Sequence, residues 1–300
     1  MKIICSERDL AWKLGVPLER LRKIADNPAA NYREFSRWKN ANKTQARMIR
    51  NPREELKAIQ RLIKDRVFGE DAFGPEVHGG ISRRSAKSNA ERHLGARVLA
   101  TIDVKGFFDN VDHRAVFRTL REFGFSTGVA CLLTKLTTRK GLLPQGAPTS
   151  VAIANLVLAR PVDAPTRAQA DEANTTFTRF IDDIGLSGDD PATHIRDVAR
   201  RLSLRGLSIH RGEKLKIRPR SMPQTITGLN INSGRLTVPR QYHEKVRAAI
   251  HGLRNVSDPA KHAQAVRKLS GRIAYIHQYQ PAAARRLARQ LANHVLARRR

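Results

Sequence analysis

The segment FTRFIDDIGLSG, residues 177–188, sets two adjacent acids between apolar runs in a chain whose formal net charge is +29. Neighbouring residues of a strand point to opposite faces, so adjacent carboxylates can converge only where the strand turns. The pattern reads as a β-hairpin, TTFTRF followed by DIGLSG, with Asp182 and Asp183 at its bend. Two carboxylates a few ångströms apart repel and disturb each other's ionisation unless a cation lies between them. On its own an Asp-Asp pair in a turn is more commonly a solvated turn. A second strand with an acid changes the weighing: RVLATIDV, residues 97–104, is a strand ending in Asp103, 79 residues before Asp182. That interval leaves room for a helix and a loop, so the two strands can pair in one antiparallel sheet. Three carboxylates on one sheet suggest a two-metal phosphoryl-transfer site with two Mg²⁺ ions, one activating an attacking hydroxyl and the other neutralising a leaving pyrophosphate.

The charge balance says what such a site would serve. Lys and Arg number 56 against 27 Asp and Glu, with a pI near 11.3, which points to a polyanionic partner. Basic charge of this density binds phosphates with little regard to sequence and weakens steeply with salt. The 300 residues, 40% of them hydrophobic, suffice for one large domain or two or three packed subdomains. Two distant cysteines, Cys5 and Cys131, exclude a disulfide framework and a thiolate metal cluster. No apolar run reaches the roughly 18 residues of a membrane span, and the charged opening MKIICSERDL is unlike a signal peptide, so a cytoplasmic protein without membrane contact is expected.

Leu10, Leu14, Leu18 and Leu21 recur at helical spacing, broken at Gly15 and Pro17. A polar basic connector follows, then an amphipathic helix beginning near Pro52 and a Gly-, Ser- and Arg-rich loop at 74–97 that ends in a short helix. HRAVFRTLREFG predicts a helix closed by Gly124. VAIANLVLA could be strand or helix by periodicity, but PQGAPTS before it, with Thr149 or Ser150 as N-cap, favours a helix. ATHIRDVARRLSLRG reads as an amphipathic helix, LSIH, TITGLNI and RLTV as short strands, and everything from 240 onward as basic helix.

In that order, ATIDVKGFFDNV, LLPQGAPTSVAIANL and FTRFIDDIGLSG resemble motifs A, B and C of reverse transcriptases, more narrowly of the bacterial retron type. HGGISRRSAKSNAERH, residues 78–93, and YREFSRWKNANKTQARMIRNP resemble the retron fingers, and ITGLNIN, residues 226–232, its Val-Thr-Gly segment. The resemblance implies an α+β right-hand polymerase fold: N-terminal helices and fingers over 1–97, a palm with an antiparallel sheet over 98–239, and a basic helical thumb over 240–300. It implies Asp103 and Asp182 as principal metal ligands with Asp183 a weaker third, and Lys214 as the acid that protonates pyrophosphate. Phe108, five residues past Asp103, matches the gate that excludes a ribose 2′-hydroxyl, while Phe107 is the better candidate for the core. Gln145 and Gly146 would pack on the incoming nucleotide, and Arg84 with Arg83 would grip its triphosphate. Asn89, His93, Arg285, Arg286 and Arg289 are expected at the nucleic acid, whereas the Leu287, Leu291 and Val295 stripe suits the core.

The chain departs from the family at Phe180-Ile181, where Tyr-Ala is usual, at Val151, where proline is usual, and at His210, near a common asparagine. The resemblance further implies RNA-templated DNA synthesis from deoxynucleoside triphosphates on a cognate structured non-coding RNA, primed by a guanosine 2′-hydroxyl. The product would be branched multicopy single-stranded DNA, in antiphage defence with a separate effector protein. A reverse transcriptase of another defence or mobile-element lineage, and a silent RNA-binding scaffold, are the rival readings. The absence of a visible maturase or endonuclease segment argues against a group II intron enzyme.

Overall fold

The computed structural model describes residues 4–28, 30–38, 46–210, 212 and 215–297. In chain order the elements begin with α1 (Glu7–Leu14), α2 (Leu18–Asp26), β1 (Tyr32–Trp38), β2 (Ala46–Pro52), α3 (Glu54–Arg66) and α4 (Ala86–Glu91). Next come β3 (Val98–Asp103), α5 (Phe107–Asn110), α6 (His113–Glu122), α7 (Thr127–Thr137), α8 (Ser150–Leu158) and α9 (Ala164–Glu172). The hairpin β4 (Thr176–Phe180) and β5 (Asp183–Gly188) is followed by α10 (Ile195–Ser203), β6 (Lys216–Pro219), β7 (Thr225–Ile226) and β8 (Leu229–Asn230). Three helices end the chain: α11 (Arg240–Gly252), α12 (Pro259–His277) and α13 (Pro281–Ala297).

These elements form two compact units. One comprises residues 1–85 and 98–217, the other residues 86–97 and 218–300. Residues 86–97, grouped by sequence with the fingers, thus fold with the C-terminal part of the chain. The architecture is α+β, with helices around antiparallel pairing.

The sheet of the first unit runs in the order β4-β5-β3-β6, and both β4 and β3 are antiparallel to β5. Ile102, Ile184 and Leu186 are buried along it and join a core that also takes Ile153, Leu156 and Val157 from α8. Helix α8 resolves the strand-or-helix choice for VAIANLVLA, and its nearly uniform burial explains why periodicity could not. Thr149 is the N-cap, one of the two residues expected there, but its side chain makes no capping hydrogen bond, and the Ser150 hydroxyl donates to Pro144 O at 2.5 Å, stapling the preceding turn. Helix α1 ends as the sequence suggests, with Gly15 at φ 69° in the left-handed region.

The basic connector before α3 is in fact an antiparallel hairpin, with Tyr32 opposite Pro52 and Trp38 opposite Ala46. Residues 39–45 lie outside the described residues. In the second unit, Val246, Ile250, Leu269, Ile276, Leu287 and Leu291 are buried by the packing of α11, α12 and α13. LSIH contributes only a bridge from Ile209 to Val104, and TITGLNI is two residues of β7 and two of β8 around a turn.

Candidate active site

The site begins with strand register. β3 and β5 pair from Val98 opposite Gly188 to Asp103 opposite Asp183, and Phe180 of β4 also lies opposite Asp183. Directly opposed residues on neighbouring strands share a face, so Phe180, Asp183 and Asp103 form one row across the sheet, with like charges adjacent. The bend itself is Ile181-Asp182, and Asp183 is already strand. Asp182 O accepts from Val104 N at 3.0 Å, tying the turn to the end of β3.

Among the described residues no three or more His, Cys, Asp or Glu side chains are gathered so as to hold a metal ion by themselves. The donor set nevertheless suits a hard cation. Carboxylate oxygens are the ligands Mg²⁺ prefers, and it is bound through one or two carboxylates with substrate phosphates and water rather than by an all-protein cage. His210 lies against the same group: its Nε2 is 3.3 Å from Asp103 Oδ1, and its N–H donates to Asp103 O at 2.8 Å.

The turn is strained. Ile181 has φ 60°, a region that β-branched side chains rarely enter. A two-residue hairpin with positive φ at its first central position normally has glycine there. Gly79 lies against it so closely that an added Cβ would stand 2.5 Å from Ile181 N. Any side chain at 79 would push the turn out of place.

Phe107 is buried, as expected of a core residue, while Phe108 is half-buried, and their ring centroids are 5.7 Å apart. Gln145 is held from two sides: Arg50 N of β2 donates to Gln145 O at 2.9 Å, and Gln145 Nε2 donates to Asp109 Oδ2 of α5 at 3.3 Å. Gly146 has φ 111°, and Ile49 Cγ2 is 3.1 Å from where its Cβ would stand. Arg50 Nη1 approaches Asp109 Oδ1 at 3.8 Å, and Arg50 Nε and Gln145 Oε1 are buried without a hydrogen-bond partner.

The family model described as reverse transcriptase (RNA-dependent DNA polymerase) matches residues 38–230, which hold all three acids. The retron Mx65 reverse transcriptase of Myxococcus xanthus is 30% identical over 308 residues, covering 95% of this chain and 71% of that protein. The retron Mx162 reverse transcriptase of the same organism is 30% identical, covering 95% and 66%, and the retron Ec86 reverse transcriptase of Escherichia coli 28%, covering 81% and 76%. The chain belongs to the retron reverse transcriptases. It is therefore an RNA-directed DNA polymerase by family.

Other expected reverse-transcriptase residues are distributed less simply. Arg84 Nη1 donates to Gly74 O at 2.5 Å and to Val77 O at 2.6 Å, so its guanidinium staples the 74–77 loop rather than standing open to a triphosphate. Arg83 is exposed, with φ 59°. Asn89 and His93 are not on the surface; both are about 1% exposed, inside the second unit. Arg285, Arg286 and Arg289 are exposed along α13. Arg286 lines a cavity of about 710 Å³ with Arg240 and Arg247, floored by Val238 and Leu287. Lys214 and the terminal Arg298–Arg300 lie outside the described residues.

Sequence reasoning passed over Arg179, Asp163 and Asn155, all fully buried beside the motif C turn. One signal was available: FTRF places a charged residue inside a hairpin strand, between Phe177 and Phe180.

Proposed function

We propose that this chain is the polymerase of a retron, copying a cognate structured non-coding RNA into DNA in the cytoplasm. Its fold is then the right hand: fingers with N-terminal helices over about 1–97, palm over 98–239 and thumb over 240–300. Synthesis starts from a 2′-hydroxyl of a guanosine in that RNA and yields branched RNA-DNA, multicopy single-stranded DNA, in antiphage defence alongside a separate effector. The observation that carries the reading is the register that sets Asp103 opposite Asp183, with Asp182 in the adjoining turn, within a chain of this family.

Asp103 and Asp182 would hold two Mg²⁺ ions, with Asp183 the weaker third. When bound, these ions supply charge neutralisation at the attacking hydroxyl and the leaving pyrophosphate. The chain's own contribution is to hold carboxylates on a rigid sheet, to close the pocket with Phe108, and to shape it with Gln145 and Gly146. Arg83, Lys214 and the exposed arginines of α13 would add positive charge toward triphosphate and duplex. Phosphate contacts of that kind fix the position of nucleic acid without reading sequence.

The test is to express the chain with its native flanking DNA and treat the extracted nucleic acid with RNase and debranching enzyme. A discrete single-stranded DNA that shifts on debranching is expected. A protein-linked or random-sequence product would assign the chain to another lineage. A narrower prediction concerns Phe108. Trimming it to alanine should raise ribonucleotide over deoxynucleotide incorporation by roughly tenfold to a hundredfold, the range set by removing bulk from a discriminating pocket. Single-nucleotide extension with each substrate measures it, and an unchanged ratio would remove Phe108 from the gate.

A further inference from the structure

We infer that Arg179, Asp163 and Asn155 form a buried clamp that fixes the turn carrying Asp182, and so act as positioning residues for polymerisation. The inference rests on Asp182 being a metal ligand.

The turn needs such a device. Ile181 at φ 60° is a strained conformation for a β-branched residue and persists only if its surroundings impose it. Arg179, the last residue but one of β4, turns back to do so: its Nη1 donates to Ile181 O at 2.8 Å. The same guanidinium is paired bidentately with Asp163, Nε to Oδ1 at 2.7 Å and Nη2 to Oδ2 at 2.6 Å, both side chains being fully buried. Asn155, also fully buried, accepts from Arg179 Nη1 at 2.9 Å and donates through Nδ2 to Gly79 O at 2.8 Å. One asparagine on α8 thereby fixes the arginine and the glycine that abuts the Ile181 backbone.

The main chain closes the arrangement. Arg179 N donates to Glu76 O and Arg179 O accepts from His78 N, each at 2.8 Å, so the 76–79 loop runs alongside the end of β4. Asp163 arrives by a π turn, Ala159–Asp163, between α8 and α9. Pro161 within it has no N–H for the regular helical ladder, which accounts for the local widening.

Stability alone does not explain the device. Well-packed apolar side chains commonly replace a buried ion pair without loss. They cannot supply a directed bond to Ile181 O. Planar, bidentately held guanidinium can, because its third nitrogen is then fixed in direction.

The experiment compares Asn155→Ala, Asn155→Ser and Asp182→Asn with the parent chain on a primed RNA template, with turnover normalised to titrated active sites. Each Asn155 variant is also made in an Ile181→Gly background, because glycine adopts positive φ without being held. The expected result for Asn155→Ala is a fall in kcat of roughly a hundredfold, the scale of a misplacement of about 1 Å. KM for the nucleotide and affinity for the RNA should be little changed, more Mg²⁺ should be needed for half-maximal rate, and the loss should shrink in the Ile181→Gly background. Asn155→Ser, which can keep one of the two bonds, should fall between. Unchanged turnover per active site, or an equal loss in both backgrounds, would overturn the clamp. Should Asp182→Asn retain full activity, the metal assignment fails instead, whatever Asn155 does. Normalisation and the serine variant keep the outcome readable if alanine impairs folding.

Discussion

Asp182→Asn is expected to lower primed DNA synthesis on an RNA template on the order of a thousandfold, because a metal ligand's charge supplies several kcal/mol of transition-state stabilisation. Asparagine keeps the shape of the side chain and, with it, the two-residue bend between β4 and β5. RNA affinity should remain, because it comes from basic residues distributed over a chain of net charge +29. Single-turnover extension alongside filter binding at two salt concentrations separates the two properties. Parent-level extension by the variant would show that the acid row is structural. A loss of binding equal to the loss of extension would show that the substitution had acted on the fold.

The second large effect is on stability. Asp163→Ala should cost about 3–5 kcal/mol, because it leaves the Arg179 guanidinium charged, fully buried and without its bidentate partner. The surroundings offer little relief. Glu76, the nearby acid, is itself held above the usual carboxylate range, chiefly by burial and further by the Asp163 charge, while Arg167 and Arg179 pull the other way. Replacing both partners, Asp163→Leu with Arg179→Met, should recover most of that loss, since no unpaired charge then remains. Urea denaturation of the parent, single and double variants measures it. Equal destabilisation by the single and double changes would mean that packing volume, not charge pairing, governs this part of the core.

The strands that bear the three acids were legible, for a physical reason. Asp103 ends an apolar strand and Asp182-Asp183 interrupt another, and charge inside apolar runs is a local pattern that a reader can find without coordinates. Helix ends at Gly15 and Gly124 were legible too, since left-handed backbone narrows the choice of residue. What escaped depends on distant partners. Arg179 meets Asp163 across 16 residues and Asn155 across 24, and no spacing rule links a strand to a π turn and to the middle of a helix. Arg84 shows the converse: the resemblance offers it to a triphosphate, and the two loop carbonyls that its Nη1 meets lie seven and ten residues back, where no motif points to them. The β1–β2 hairpin was missed because Phe35, Trp38 and Met48 are exposed, so no buried face imprints an alternation on the sequence.

The discontinuous second unit bears on how the chain is made. Residues 86–97 leave the ribosome about 120 residues before the segment from 218 onward with which they fold. Through that interval Asn89 and His93 have no interior to enter, and Gly95, whose N–H donates to Ile231 O at 3.5 Å, has no acceptor there. The acid row, by contrast, is complete in sequence once Asp183 has emerged. The three strands β3, β4 and β5 can thus pair while the other unit is still unfinished, and completion of that unit awaits the last helices of the chain.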